Sequence, residues 1–357
     1  MKLLIVGLDG ATFDIINPLI ERGKLPTISK LVENGASGVC ESTHPPVTSP
    51  AWPSFMTGCN PGKHGVFHFS DDSGNLYTSK DIQKPLFWDI LGEYGFKSLV
   101  MNVPVTYPPK KINGVLVTGM LTPPGASFAY PQVIENLLNQ ISYVIAPSRE
   151  LLRSVSFSKK AVEKLIKIEQ KRTEAFLKIA SKDGYDLGCI VYQATDVVQH
   201  KCLDNQNFVD RVYESLDTEI AKLIEILNPQ NIIVVSDHGF DKYNRQVNIN
   251  QFLFAEGLLA RKKREKSQSI IKEQGKYETI SSFVLTVLVK AAERLGVSNE
   301  TLIRILPTFA VNILRRRLPS GLKGLLEPSK LVIDMDNSLV YALSGFELGV
   351  RINKNKV

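Results

Sequence analysis

The chain has 357 residues, 43% of them hydrophobic and 22% charged, which excludes a disordered polymer and suits one large domain or two modest ones. The net charge of +7 invites a nucleic-acid reading, but the excess is local: residues 1–260 carry 25 basic and 27 acidic side chains, residues 261–357 carry 18 and 9. That distribution argues against a nucleic-acid-binding fold and for a basic segment lying near anions.

No stretch reaches the roughly 20 apolar residues of a membrane span. The nearest, residues 283–289, is interrupted by Lys290 and Glu293. The amino-terminal run meets Asp9 with no small-residue cleavage site, so it reads as a buried strand and not a signal peptide. Cys40, Cys59, Cys189 and Cys202 show no CxxC spacing, so neither a zinc ribbon nor a disulfide framework is expected. A reducing cytoplasm is the expected compartment.

In chain order, the first strand is expected at Leu3–Leu8, followed by a helical stretch through Leu31. Residues 47–58 form a hydroxyl- and proline-rich cluster, with Pro50 placed as an early helical residue, Thr48 or Ser49 near the N-cap and Gly58 near the helix end. Strands are expected at 97–103, Gly114–Thr118, Leu187–Tyr192 and 231–236, each rich in β-branched residues. Long amphipathic helices are expected at 158–181 and 208–227, and residues 121–147 read as a surface excursion. Alternation of this kind predicts βα units and a parallel sheet.

After Phe254 the character changes. A basic run at 261–266 leads into expected helices at 281–295 and 299–318, with Arg315, Arg316 and Arg317 near the end of the second. The expected domains are therefore a catalytic domain at 1–254, a basic helical insertion or lid at 255–328, and a return toward the catalytic domain at 329–357. No internal repeat is present.

In open parallel sheets, ligand-handling groups gather at the carboxyl ends of strands. Asp9 follows the first strand between Gly7 and Gly10, Asp237 and His238 follow the strand at 231–236, and Asp196 and His200 follow Leu187–Tyr192. The spacing of four puts Asp196 and His200 on one helix face. Three carboxylates and two imidazoles form a mixed oxygen and nitrogen set suited to zinc or manganese, and are enough for two ions. A hydroxyl near a helix amino terminus, Thr48 or Ser49, becomes a useful nucleophile toward phosphorus when a cation activates it.

GLDG at 7–10, TSPAWPSFMTG at 48–58 with NPGKHGV at 60–66, TDVVQH at 195–200 and SDHGF at 236–240 together resemble the type I phosphodiesterase / nucleotide pyrophosphatase family of the alkaline phosphatase superfamily. The resemblance implies a three-layer αβα sandwich around a mostly parallel sheet, with a helical insertion. It also implies two divalent metal ions, zinc or alternatively manganese: one on Asp9, Thr48, Asp237 and His238, the other on Asp196, His200 and a further histidine. Thr48 would be the catalytic nucleophile, forming a phospho-threonine that water hydrolyses, and the partner would be a small phosphodiester or phosphate monoester.

The chain departs from the family pattern in two places. Its five histidines, His44, His64, His68, His200 and His238, leave none beyond 238 to complete the Asp196 and His200 site. Ala51 stands where nucleotide-type members carry a phosphate-contacting Asn, so a nucleotide preference does not carry over. Thr48 with Trp52 at +4 also argues against a sulfatase. Two other readings stay open: a phosphotransferase or phosphomutase of the same superfamily, and a non-catalytic anion-binding protein with an incomplete second metal site. The missing ligand leads us to expect the amino-terminal part of a longer enzyme, or a degenerate one. His64 and Asn102 are expected to satisfy loop backbone, and the oligomeric state is not readable from the sequence.

Overall fold

The computed structural model describes residues 1–71, 74–148, 151–152, 157–243, 247–261, 333–342 and 349–356. The expected helices at 281–295 and 299–318 lie outside these residues, as does nearly all of the basic insertion. The chain divides into two units, Met1–Arg245 and Gln246–Val357.

The first unit is built on β1 (Leu3–Leu8), β2 (Ser98–Val103), β3 (Gly114–Thr118), β4 (Ala129–Tyr130), β5 (Leu187–Tyr192) and β6 (Asn231–Val235), in the spatial order β4-β3-β2-β5-β1-β6. All neighbours are parallel except β3 with β4. Helices α1 (Phe13–Glu21), α2 (Pro26–Asn34), α3 (Thr48–Thr57), α4 (Pro61–His64), α5 (Phe87–Glu93), α6 (Val133–Gln140), α7 (Lys159–Ala180), α8 (Ala194–Cys202) and α9 (Gln206–Leu227) complete it among the described residues.

Alternation along each strand sends side chains to two separate cores, one on each face of the sheet. Leu4, Val6 and Leu8 of β1, with Ile190 and Tyr192 of β5, pack into a core shared with Leu19, Ile28, Leu138, Phe176, Val198 and Leu216 from α1, α2 and α6–α9. Ile5, Cys189 and Val191 face the other way and meet Trp52, Met56 and Trp88 from α3 and α5. Layers of helix therefore cover both faces, the architecture expected from the sequence.

Carboxylates from α9 fasten the first layer. Asp217 accepts from the backbone amides of Thr27 (3.1 Å) and Ile28 (2.8 Å), capping α2 from a neighbouring helix because Leu25, at the N-cap, offers no acceptor. Asp210 holds Arg22 at 2.8 Å and Lys24 at 3.2 Å.

The expected helical stretch through Leu31 is two helices, because the chain turns at Gly23 (φ +69) and restarts at Pro26. Residues 121–147 are more than an excursion: they supply β4 and α6, whose Leu137 and Leu138 are buried in the core. Helix α3 begins at Thr48 itself, with Val47 as N-cap and Gly58 in the left-handed conformation at its end. β6 differs from its neighbours. It forms one edge of the sheet, and Ile233 (45%) and Val234 (36%) are exposed, although its sequence is as apolar as that of the buried β5.

The second unit contains α10 (Ile249–Ala255) and two antiparallel pairs, β7 (Ala260–Arg261) with β8 (Ile333–Asp334) and β9 (Val340–Tyr341) with β10 (Arg351–Ile352). The Asn250 side chain joins helix to strand pair, donating to Ala342 O at 2.6 Å and accepting from Ala342 N at 2.8 Å. Among the described residues no helix is long and apolar enough to cross a membrane.

Candidate active site

Two parallel strands and one helix end at the same point. β1 runs into Asp9, which is fully buried; β6 runs into Asp237 and His238; and Thr48 opens α3. Gly10 turns the chain away from Asp9 with φ +66, a conformation that favours glycine. The site is thus assembled at the carboxyl ends of strands.

The side chains converge closely. Thr48 Oγ1 donates to Asp9 Oδ1 at 3.3 Å and lies 3.1 Å from His238 Nε2. His238 Nε2 is 3.5 Å from both Asp9 Oδ1 and Asp237 Oδ2. His238 Nδ1 lies 2.8 Å from Gly239 O, a carbonyl that only accepts. In its neutral form the ring would carry its proton on Nδ1 and turn the Nε2 lone pair toward the cluster. Asp237 Oδ1 accepts from Gly10 N at 3.1 Å, while Oδ2 is buried with no hydrogen bond. One hydroxyl proton cannot serve all these acceptors.

Burial pushes the Asp9 carboxyl well above the usual carboxylate range, and the neighbouring Asp237 and Asp196 raise it further. Burial likewise pushes Asp237 up to about 7. Buried carboxylates without a counter-charge are costly, and a divalent cation meets that need. Ligating atoms of Asp9, Asp237 and His238 all lie within 4.8 Å of one another. Their two carboxylates and one imidazole, with the orphaned Asp237 oxygen and the Thr48 hydroxyl alongside, fit a zinc or manganese ion.

Asp196 and His200 sit beside this cluster as a separate pair on α8. His200 Nε2 lies 3.3 Å from Asp196 Oδ1, and the two side chains are 62% and 13% exposed. The Asp196 carboxylate raises the His200 pKa by hydrogen bonding, and the Phe240 ring packs edge-on against the imidazole at 4.7 Å. A methyl group on Gly10 would lie 3.2 Å from Asp196 Cβ and Oδ1, so glycine there lets α8 approach the Asp9 turn. Among the described residues only Asp9, Asp237 and His238 form a group of three.

Ser49 Oγ donates to His68 O at 2.7 Å and is fully buried, leaving Thr48 as the hydroxyl facing the cluster. His64 is buried and lies 2.9 Å from Ser54 Oγ, and its Nδ1 accepts from Val66 N at 3.2 Å. Asn102 donates to Val191 O at 2.9 Å, prolonging the link between β2 and β5 beyond their ladder. A cleft of about 560 Å³ beside His200 is lined by Phe157, Lys201, Phe240 and Lys242. A larger one, about 950 Å³, lies around Lys97, Gly114 and Tyr185 at the opposite strand ends, away from this chemistry.

Three contributors escape sequence reasoning. Trp52 is fully buried, and its indole N–H points to Asp9 Oδ2 at 3.4 Å. Its only trace in the sequence is Gly7, where a methyl group would lie 2.3 Å from the indole. Thr195 and Gln199 bond the backbone of residues 9 and 10. The hint is a second i, i+4 pair, offset by one from Asp196 and His200.

The structure resembles phosphonoacetate hydrolase of Sinorhizobium meliloti 1021 in complex with phosphonoformate, at 17% identity, 71% of this chain, 62% of that one and a TM-score of 0.56. The same hydrolase with phosphonoacetate gives 17%, 72%, 62% and 0.56. Murine ectonucleotide pyrophosphatase / phosphodiesterase 5 aligns at 20% identity over 73% of this chain and 63% of that one, with a TM-score of 0.45. The chain thus spans about three fifths of the length of these proteins. No curated protein matches significantly by sequence. With a family match covering residues 3–304, the chain belongs to the type I phosphodiesterase / nucleotide pyrophosphatase family.

Proposed function

We propose that this protein is a metal-dependent hydrolase of phosphodiesters or phosphate monoesters that uses Thr48 as its nucleophile. The observation that carries the reading is the meeting of the Thr48 hydroxyl with Asp9 Oδ1 and His238 Nε2, beside a buried Asp237 carboxylate whose Oδ2 has no hydrogen bond. Asp9, Asp237, His238 and Thr48 would hold one zinc or manganese ion, and Asp196 with His200 would contribute to a second. Bound there, the ions supply Lewis acidity and charge neutralisation for the phosphoryl group.

The protein's own groups do the rest. Asp9 Oδ1 takes the hydrogen bond of Thr48 and fixes the direction of its lone pairs. Helix α3 presents that oxygen at its first turn, where backbone N–H groups favour an approaching anion. Attack forms the Thr48 Oγ1–P bond and breaks the P–O bond to the leaving group, the hydroxyl proton being lost to solvent and the departing alkoxide taking one from solvent. Water then attacks the phospho-threonine, releasing phosphate or a monoester and restoring the hydroxyl. The cleft beside His200 would take the remainder of the substrate. We also propose a cytoplasmic setting, on the four free thiols.

Metal-dependent release of nitrophenol from bis(4-nitrophenyl) phosphate tests the reading. Thr48→Ala is expected to abolish turnover while leaving the fold intact, and Ser49→Ala is expected to retain it. Unchanged turnover in Thr48→Ala removes Thr48 as nucleophile.

A further inference from the structure

Helix α8 carries two i, i+4 pairs, and they do different things. Asp196 and His200 pair with each other beside the cluster. Thr195 and Gln199, one residue back, are 0% and 2% exposed and turn into the protein. Thr195 Oγ1 donates to Asp9 O at 2.5 Å. Gln199 Nε2 donates to Gly10 O at 2.8 Å and to Thr195 O at 2.9 Å. Two successive carbonyls of the turn that carries Asp9 are thus gripped by two successive turns of the helix that carries Asp196.

The Gln199 amide is not there merely to fill space. Its Oε1 is buried without a hydrogen bond, which an apolar side chain of the same size would avoid. What the amide adds is its donor. A third tie fixes the start of the helix: Gln193, at the N-cap, has no side-chain cap, and Glu169 Oε1 accepts from Gln193 N at 3.0 Å. Glu169 is held in turn by Arg172 at 2.6 Å, and both are buried.

We propose that Thr195 and Gln199 form a clamp whose task is to set the separation between the cation seat at Asp9, Asp237 and His238 and the second seat at Asp196 and His200. Ions acting together on one phosphoryl group sit about 3.5–4 Å apart, so the two carriers must keep register to a fraction of an ångström. Gly10, open to Asp196 only because it lacks a side chain, permits the approach, and the clamp fixes its depth. Thr195 and Gln199 act through the ligands and touch no substrate, so they are positioning residues. The proposal rests on the two-cation reading above.

Manganese supplies a readout independent of turnover, because two close Mn(II) ions couple magnetically. Titration of the full chain with Mn(II), followed by calorimetry and electron paramagnetic resonance, is expected to show two ions and a coupled spectrum. In Thr195→Val and in Gln199→Met, first-ion affinity should stay within about threefold of wild type. The second should weaken by about 10–100-fold, as for other changes behind a ligand, with the coupling lost. Thr195→Ser, which keeps the hydroxyl, should restore both.

Two ions with unchanged affinity and coupling in both variants overturn the clamp while leaving the two-cation reading standing. A wild-type protein that binds one ion or none overturns that reading and the clamp with it. Variants that fail to fold by circular dichroism overturn the clamp in favour of a purely structural role.

Discussion

The two acidic pairs of this site, at the ends of β6 and β5, look alike in sequence and differ in physics. Asp237 and His238 lie at the strand end itself and gather with Asp9, His238 reaches Thr48, and a buried Asp237 oxygen is left without a hydrogen bond. Asp196 and His200 stand one helical turn apart on α8, with the imidazole mostly in solvent and each satisfying the other. The first arrangement is strained electrostatically until a cation arrives. The second is at rest without one. Donor type is therefore a poor guide to affinity, and desolvation with leftover acceptors is the better one.

The largest expected effect tests that contrast directly. Asp237→Asn should weaken the tighter cation by more than about 100-fold, exceeding what changes behind a ligand do, whereas Asp196→Asn should change it by less than about tenfold. Equal losses in calorimetric titrations would erase the distinction between the seats.

The next effect is on stability. In the metal-free protein Asp9 and Asp237 hold protons that the unfolded chain, with carboxyl pKa values near 4, gives up. Their contribution therefore falls as pH rises from about 4 through about 7. Thermal melts of stripped protein should drop across that window, and saturating Zn(II) or Mn(II) should raise the melting temperature more at pH 7.5 than at pH 5.

The smallest effect concerns Trp52. Trp52→Phe keeps the ring against Gly7 and removes one donor to Asp9, which predicts a loss of about 1 kcal/mol, roughly fivefold, in first-cation affinity. No change would make Trp52 a packing residue only.

Much of this was legible in the sequence for local reasons. Leu3–Leu8, Gly114–Thr118 and Leu187–Tyr192 are β-branched runs closed by turns or polar groups, and the structure has strands over the same residues. The strand-end rule also picked out the residues that gather around Asp9. What escaped depends on contacts far apart in the chain. β4 is only two residues long and owes its existence to pairing with β3. Trp52, Thr195 and Gln199 bear no mark of chemistry until packing brings them against residues 7–10. Thr48 rather than Ser49 faces the cluster because the first helical turn aims one hydroxyl at Asp9 and the other at the His68 carbonyl.

The exposed edge strand β6 delivers two of the groups around the Thr48 hydroxyl. Among the described residues it is hydrogen-bonded to β1 alone, so its amides have less cover against local opening than those of the strands inside the sheet. A cation held jointly by Asp9 and Asp237 would tie the ends of β1 and β6 together. Occupancy of the site and protection of residues 231–235 from hydrogen exchange are then linked quantities, and the metal acts as the last rung of the ladder between the two strands.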